Sequence, residues 1–254
     1  MRTFAHNRFE LLSFFRRQGN DVFFHSPIFA QRARGYNVFP RPHIYRQFTE
    51  VTTLGNEICT RLKAKCVWVE NDFDGLIPGL KARKFDGVLS SMTITAERAE
   101  QIAFSSPLFE TPTALVARKG SGLHPTVESL KGRSVGVEQG TIQETYAKRW
   151  EANGVKVVSY QNQDQVYQDL EAGRIDAALQ DQVQAELGFL KMPRGNGYAL
   201  AGEAIPSGAA AIGLRKADTD LKADIDKAID GMMRDGAYKK IEKKYFDFDI
   251  APRS

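Results

Sequence analysis

Residues 85–112 read FDGVLSSMTITAERAEQIAFSSPLFETP, and the fold turns on how this run divides. The apolar stretch 85–89 has the length of a buried strand. It ends in Ser90 and Ser91, then a turn, then a helix start. Thr95 stands where an N-cap belongs, and Arg98 follows in the first helical turn. A strand end that feeds a helix N-terminus gathers unpaired backbone N–H groups at one point and attracts an anion. Arg98 adds a fork of donors matched to a carboxylate. The local chemistry is that of capturing a small carboxylate-bearing molecule.

The same grammar continues on both sides. Apolar residues at 54, 58 and 62 form a helical stripe, 66–69 (CVWV) reads as a strand, and Phe73 and Asp74 open a loop before a short helix at 76–82. Residues 109–118 read as an extended crossover. Strands follow at 134–137, 155–160 and 175–180, with helices after the first two: one beyond the Gln139-Gly140-Thr141 turn and one at 163–172. Residues 201–207 cross back to a strand at 210–216. An amphipathic helix at 221–235, stopped by Gly236, precedes a last helix at 237–245. Strands alternating with helices predict an α/β protein with mostly parallel sheets. Two crossovers predict a discontinuous first lobe with a second lobe inserted into it.

The 254 residues are 42% hydrophobic and 26% charged, within the range of soluble globular chains, and no stretch approaches the ~18–20 apolar residues of a membrane span. The net charge of +4 is unevenly placed. Residues 1–50 hold eight Arg against Glu10, Asp21 and Glu50, whereas the remainder holds 27 basic and 28 acidic residues. The first Lys is Lys63, and nine of the sixteen Phe lie in the first 50 residues. The basic excess therefore belongs to one segment and implies no nucleic-acid partner. Cys59 and Cys66 are seven residues apart. Their spacing fits either a short closed loop or two reduced, partly buried thiols, and it matches neither a redox CxxC motif nor a zinc site.

Five runs, in order, resemble the periplasmic amino-acid-binding proteins of ABC importers, solute-binding protein family 3. They are LGNEIC at 54–59, NDFDGLIPGLKARKFDGVLSSMTIT at 71–95, VGVEQGTIQETYA at 135–147, AGRIDAALQD at 172–181 and KKYFDFDI at 243–250. The likeness is greatest to the branch that binds lysine, arginine, ornithine and histidine. It implies a type II two-lobed periplasmic-binding-protein fold: lobe one from 54–110 and 205–254, lobe two from 111–204, and a non-matching segment at 1–53. It also implies a disulfide between Cys59 and Cys66, a periplasmic monomer, an L-amino-acid ligand, a membrane permease as partner, and no metal or cofactor.

The resemblance assigns roles residue by residue. Arg98 meets the ligand α-carboxylate; taken alone it reads as a solvated helix Arg beside Glu97 and Glu100. Ser91 and Thr93, with Ser90 beside them, add polar contacts at the same end, over and above ordinary turn chemistry. Asp181 meets the α-ammonium, as a carboxylate at a strand's C-terminal end faces the cleft; its plainer role is to cap a helix near Val183. Thr141, Ile142 and Gln143 offer backbone N–H groups from lobe two. Ile142 stands where the family often has a hydroxyl, and Thr141 is the substitute. Phe73 stacks on the ligand stem or packs in the core.

The N-terminus departs from this pattern. MRTFAHNRFELLSFFRRQGN shows no signal-peptide h-region, and the family's opening strand, with its acid and aromatic, is not recognisable before Leu54. We read residues 1–53 as foreign to the family, through a frameshift or a misplaced start, with a divergent extension as the alternative. Tyr36 is a stand-in for the missing aromatic whose flanks do not match. Losing the first strand is expected to expose part of lobe one's sheet. Two further functional readings stand beside the receptor: a prephenate-type dehydratase using a cleft carboxylate as general acid, and a product inactive for want of its first strand.

Overall fold

The computed structural model describes residues 21–25, 49–69, 71–246 and 248–252. β1 (Asp21–His25) precedes α1 (Thr49–Arg61) and β2 (Lys65–Val69). A 3-10 turn (Phe73–Gly75) leads into α2 (Leu76–Lys81), β3 (Gly87–Val88), α3 (Ala96–Gln101), β4 (Ala103–Phe104), β5 (Phe109–Glu110) and β6 (Thr113–Arg118). Then come α4 (Val127–Leu130), β7 (Ser134–Glu138), α5 (Ile142–Lys148), β8 (Lys156–Tyr160), α6 (Gln163–Glu171) and β9 (Ala177–Asp181). α7 (Gln182–Ala185) continues as a π turn (Glu186–Leu190) toward β10 (Tyr198–Leu200). β11 (Ala209–Ala210), β12 (Gly213–Leu214), α8 (Thr219–Asp235) and α9 (Ala237–Tyr245) complete the chain.

Two five-stranded sheets result, ordered β2-β1-β3-β12-β4 and β10-β6-β9-β7-β8. The second is built entirely from residues between the two crossovers, so lobe two is inserted into lobe one. The crossovers run side by side: β5 pairs antiparallel with β11, and Thr113 bridges Ile205. The Thr113 and Ser207 hydroxyls add a 2.6 Å hydrogen bond between them.

Three expectations are corrected. The sheets are mixed, because the strands that carry the chain between lobes return against their neighbours: β12 is antiparallel to β3 and β4, and β6 to β9 and β10. The single strand expected at 210–216 is two short ones, separated where Ser105 exchanges hydrogen bonds with the backbone of Ile212. Lobe one does not lack a first strand. Asp21–His25 lies parallel between β2 and β3, Val22 opposite Cys66 and Phe24 opposite both Trp68 and Gly87. Tyr36 lies outside the described residues.

Side-chain alternation along the strands divides each lobe's core in two. On β6, Leu115 packs with Val135, Val137, Trp150 and Leu179, while Val116 packs on the other face with Val166, Tyr167, Leu170 and Phe189. In lobe one, Leu89 joins Leu54 and Ile58 of α1 and the stripe Ile225, Ala228, Ile229 and Met232 of α8. That stripe recurs at the 3.6-residue period of a helix. Val88 faces Leu76, Leu80, Phe85, Met92 and Ile102 instead. α8 stops at Gly236, whose φ of 79° is left-handed and open to glycine without strain.

Cys59, at the end of α1, is bonded to Cys66 in β2 with 5.9 Å between their Cα atoms. The bond ties a helix of the lobe-one core to the edge of its sheet. Closing so short a loop restricts the unfolded chain by about 2.5 kcal/mol in the chain-entropy description. Replacing both cysteines by serine is therefore expected to lower unfolding stability by about that amount in urea titrations, while dithiothreitol destabilises the parent and leaves the double variant unchanged.

Candidate functional site

Each functional side chain is placed by a strand end or a helix start. Ser90 and Ser91 follow β3, and Ser91 holds φ at 48°, a left-handed conformation that a serine adopts only at some cost. The turn it makes brings Thr93 against Ala210 of the returning crossover. Thr95 then caps α3, its hydroxyl accepting from the backbone N–H of Arg98. The Arg98 side chain is buried. Its guanidinium donates through Nη1 to the Thr93 carbonyl at 2.9 Å and through Nη2 to the Gly140 carbonyl, in lobe two, at 3.0 Å. It also lies 5.3 Å from the centre of the Phe73 ring. Burial pushes its pKa down, and among the described residues no carboxylate pairs with it. Two of its five N–H donors are thus held by carbonyls, which orient the cation without neutralising it.

Asp181 closes β9 and caps α7, accepting from the Gln184 N–H at 3.0 Å. It is 9% exposed, and no cationic side chain of the described residues reaches it. Burial raises its pKa to about 6; hydrogen bonds from Gln184, Thr111 and Val183 oppose that rise. The capping role and a position facing the cleft are compatible, since a carboxylate has acceptor capacity beyond one cap.

The nine residues singled out in the sequence, Phe73, Ser90, Ser91, Thr93, Arg98, Thr141, Ile142, Gln143 and Asp181, line one cavity of about 50 Å³ between the lobes. Phe73 also packs against the Leu76–Leu80 side of lobe one. The 139–143 turn is more committed than the sequence implies. Gln139 N–H bonds the Tyr160 carbonyl, and Gly140 N–H bonds Glu144. The Thr141 hydroxyl donates to the Glu138 carbonyl while capping α5, so it does not supply the side-chain donor expected of it. Gln143 donates to Thr113 on the crossover. What remains toward the cavity is the opening of α5 at Ile142 and Gln143. Gly140 serves here by size and conformation: with φ at 75°, any Cβ would stand 3.0 Å from Asp74 of the other lobe.

Three lining residues were not anticipated: Asn71, Glu138 and Gln184. Glu138 ends β7 as Asp181 ends β9, so the strand-end rule applied to one carboxylate would have found the other. Asn71 holds the turn before α2 by donating to the Gly75 carbonyl.

Keeping Asp181 ionised inside the fold is costly. Its raised pKa means that folding favours the protonated acid, a contribution fully present below its ordinary value of 3.8 and lost as pH rises through about 6. Asp181→Asn keeps a capping oxygen and removes the charge. At pH 8 and without ligand, that variant is expected to be more stable than the parent by about 1–3 kcal/mol in urea unfolding, with the gain gone at pH 4. An unchanged or lower stability at pH 8 would contradict the buried-charge description.

The profile of the bacterial extracellular solute-binding proteins, family 3, matches residues 50–248. The chain is 51% identical over 203 residues to the lysine/arginine/ornithine-binding periplasmic protein of Escherichia coli K12, and 48% identical over 203 residues to the histidine-binding periplasmic protein of the same strain. Each alignment covers 78% of both chains. Among solved structures, an ancestral arginine-binding protein bound to arginine superposes with a TM-score of 0.77 at 32% identity, covering 90% of this chain and 99% of that one. A two-lobed fold, a cavity between the lobes and a match along some 200 residues agree: the chain belongs to the bacterial extracellular solute-binding proteins, family 3.

Proposed function

We propose that this chain is the substrate-binding component of an ABC importer and captures a basic L-amino acid of the lysine, arginine, ornithine or histidine kind. The observation that carries the reading is the pair Arg98 and Asp181, opposite charges buried in one cavity, each lacking an ion-pair partner among the described residues. A free amino acid supplies both missing partners. Its α-carboxylate pairs with Arg98, helped by Ser90, Ser91, Thr93 and the first N–H groups of α5. Its α-ammonium pairs with Asp181. Its stem lies along Phe73. Removing one partner of a buried pair leaves an uncompensated charge, at a cost of about 3–5 kcal/mol, so the site discriminates strongly against molecules lacking either group.

Because the cavity takes walls from both lobes, entry and release require the hinge at the paired crossovers to open. The relatives named above are binding proteins, which supports our reading of the cavity as a site of capture without turnover. The two from Escherichia coli are periplasmic binding proteins, which supports a periplasmic location and delivery of the ligand to a membrane permease; we propose that the chain does so as a monomer. The reading rests on residues 50–248. We propose a separate origin for most of the Arg- and Phe-rich segment before them; translating the gene's other two frames would expose a displaced family N-terminus.

Thermal-shift titration with arginine, lysine, ornithine, histidine and glutamine tests the reading. A ligand at 100 times its Kd stabilises the fold by about 2.7 kcal/mol. The shift is expected with at least one basic amino acid and is lost in both Arg98→Met and Asp181→Ala; a folded parent that shifts with none sinks the proposal.

Protonation gives an independent check. With the Asp181 pKa near 6, part of the population is protonated at pH 6, and pairing with an ammonium requires that proton to leave. Calorimetry at pH 6 on the Glu138→Gln variant, which removes the other raised carboxyl of the lining, should therefore show proton release on binding, through heats that differ between buffers of unlike ionisation enthalpy. The difference should fade at pH 8. Equal heats in both buffers at pH 6 would count against Asp181 as the ammonium partner.

A further inference from the structure

β7 and β9 are adjacent and parallel, Val135 opposite Ala177 and Gly136 opposite Ala178. Each ends in an acid at the same rim of the sheet, and both acids, Glu138 and Asp181, line the cavity. One acid suffices for an α-ammonium. The second has no role in holding the backbone of an amino acid.

The surroundings of Glu138 supply polar contacts but no counter-charge. The Gln184 side chain and the Gln163 backbone N–H hydrogen-bond to its carboxylate. Asp72 and Asp74, from lobe one, stand near enough to oppose its charge. The cationic side chain in the lining is Arg98, whose guanidinium is engaged with the Thr93 and Gly140 carbonyls. Among the described residues Glu138 enters no ion pair. Burial, with Asp72 and Asp74 adding to it, lifts its pKa to about 7.

We propose that Glu138 binds the cationic end of the ligand's side chain and thereby selects basic over neutral amino acids. The cavity's charges count in favour: one guanidinium against two carboxylates is the complement of a molecule with one carboxylate and two cationic groups. Spacing agrees. Neighbouring strands lie about 5 Å apart and Asp181 stands one residue further along its strand than the position level with Glu138, so their Cα atoms are on the order of 6 Å apart, near enough for one amino acid with a four-carbon stem to reach both acids of the shared cavity. This assignment deepens the receptor reading and depends on it.

Arginine and citrulline test it, since they share shape and differ in the charge at the side-chain end. Binding to the parent, Glu138→Gln and Glu138→Leu is measured by calorimetry at pH 8, where the parent carboxylate is ionised. The parent is expected to prefer arginine by about tenfold or more, and both variants to bring the two ligands within about threefold, chiefly by losing arginine affinity. Two variants of different shape guard against a folding defect in either. A preference for arginine that persists in both variants, or a parent that binds the two equally, overturns the role of Glu138 and leaves the receptor reading standing. A parent that binds no amino acid in the thermal-shift series removes both.

Discussion

The site depends on buried charges that the protein does not neutralise for itself. Desolvating a guanidinium or a carboxylate costs several kcal/mol, and folds ordinarily recover that by pairing the ions inside. Here Arg98 is held by two carbonyls and Asp181 by backbone N–H groups, partners that fix position and leave net charge. Elsewhere charges are treated differently: the largely buried Arg215 is braced by Asp86 and Asp218, and the half-buried Arg61 by Glu57 and Asp235. These charges are paired within the fold, whereas Arg98 and Asp181 have no ionic partner among the described residues.

That arrangement explains why the side chains come from strand ends and helix starts. A helix start supplies uncommitted N–H groups, and a strand end can turn a side chain off the sheet while its backbone stays in the ladder. Thr95, Thr141 and Asp181 each use a side-chain oxygen to cap the helix they open. The caps fix the first turns of α3, α5 and α7 and so fix the walls of the cavity. The left-handed Ser91 is the one positive-φ residue without glycine's freedom among the lining, and it sits where the chain must turn from β3 toward Thr93.

Most of this was legible in sequence because it is local. Thr95 ahead of Arg98, Gly236 after a helical stripe, and apolar runs of strand length are short-range signals; the nine site residues came from the family resemblance carried by such runs, and the structure brings all nine to one cavity. What escaped was of two kinds. Strand direction is a long-range property: nothing within residues 109–118 or 210–216 says that these segments return antiparallel to their neighbours, and β10 is a three-residue edge whose pairing with β6 spans some eighty residues. Glu138 escaped for another reason. It is one charged residue ending an apolar strand, a pattern as common on a solvated rim as in a cleft, and only the parallel pairing of β7 with β9 places it beside Asp181. The strand at Asp21–His25 shows the converse, since a ladder is made from backbone N–H and C=O groups that every non-proline residue carries. A sequence unlike the family's can therefore occupy the slot between β2 and β3.

Among the described residues, and beyond the hinge strands, Val183 and Leu187 of lobe two pack with the lobe-one core, while polar contacts span the cleft. Arg98 reaches the Gly140 carbonyl, Gln161 donates to Asp72 at 2.6 Å, and the Gly140 backbone rests against Asp74. The apolar contact lies beside the crossover, where the Val183 N–H donates to Thr111, so the cleft itself is spanned by these polar contacts. Each hydrogen bond contributes about 0.5–1.5 kcal/mol net, more where a charge takes part, and the acids that face one another across the cleft, Asp72 and Asp74 against Glu138, work against closure. On the proposed binding mode, a cation beside Glu138 offsets the repulsion from Asp72 and Asp74 as well as adding an attraction, and a carboxylate on Arg98 compensates a buried charge. Such a ligand has differential affinity for the closed form, which is the requirement for shifting a hinge. A neutral ligand of the same shape relieves neither charge. Under that proposal, selectivity and closure follow from the same charges.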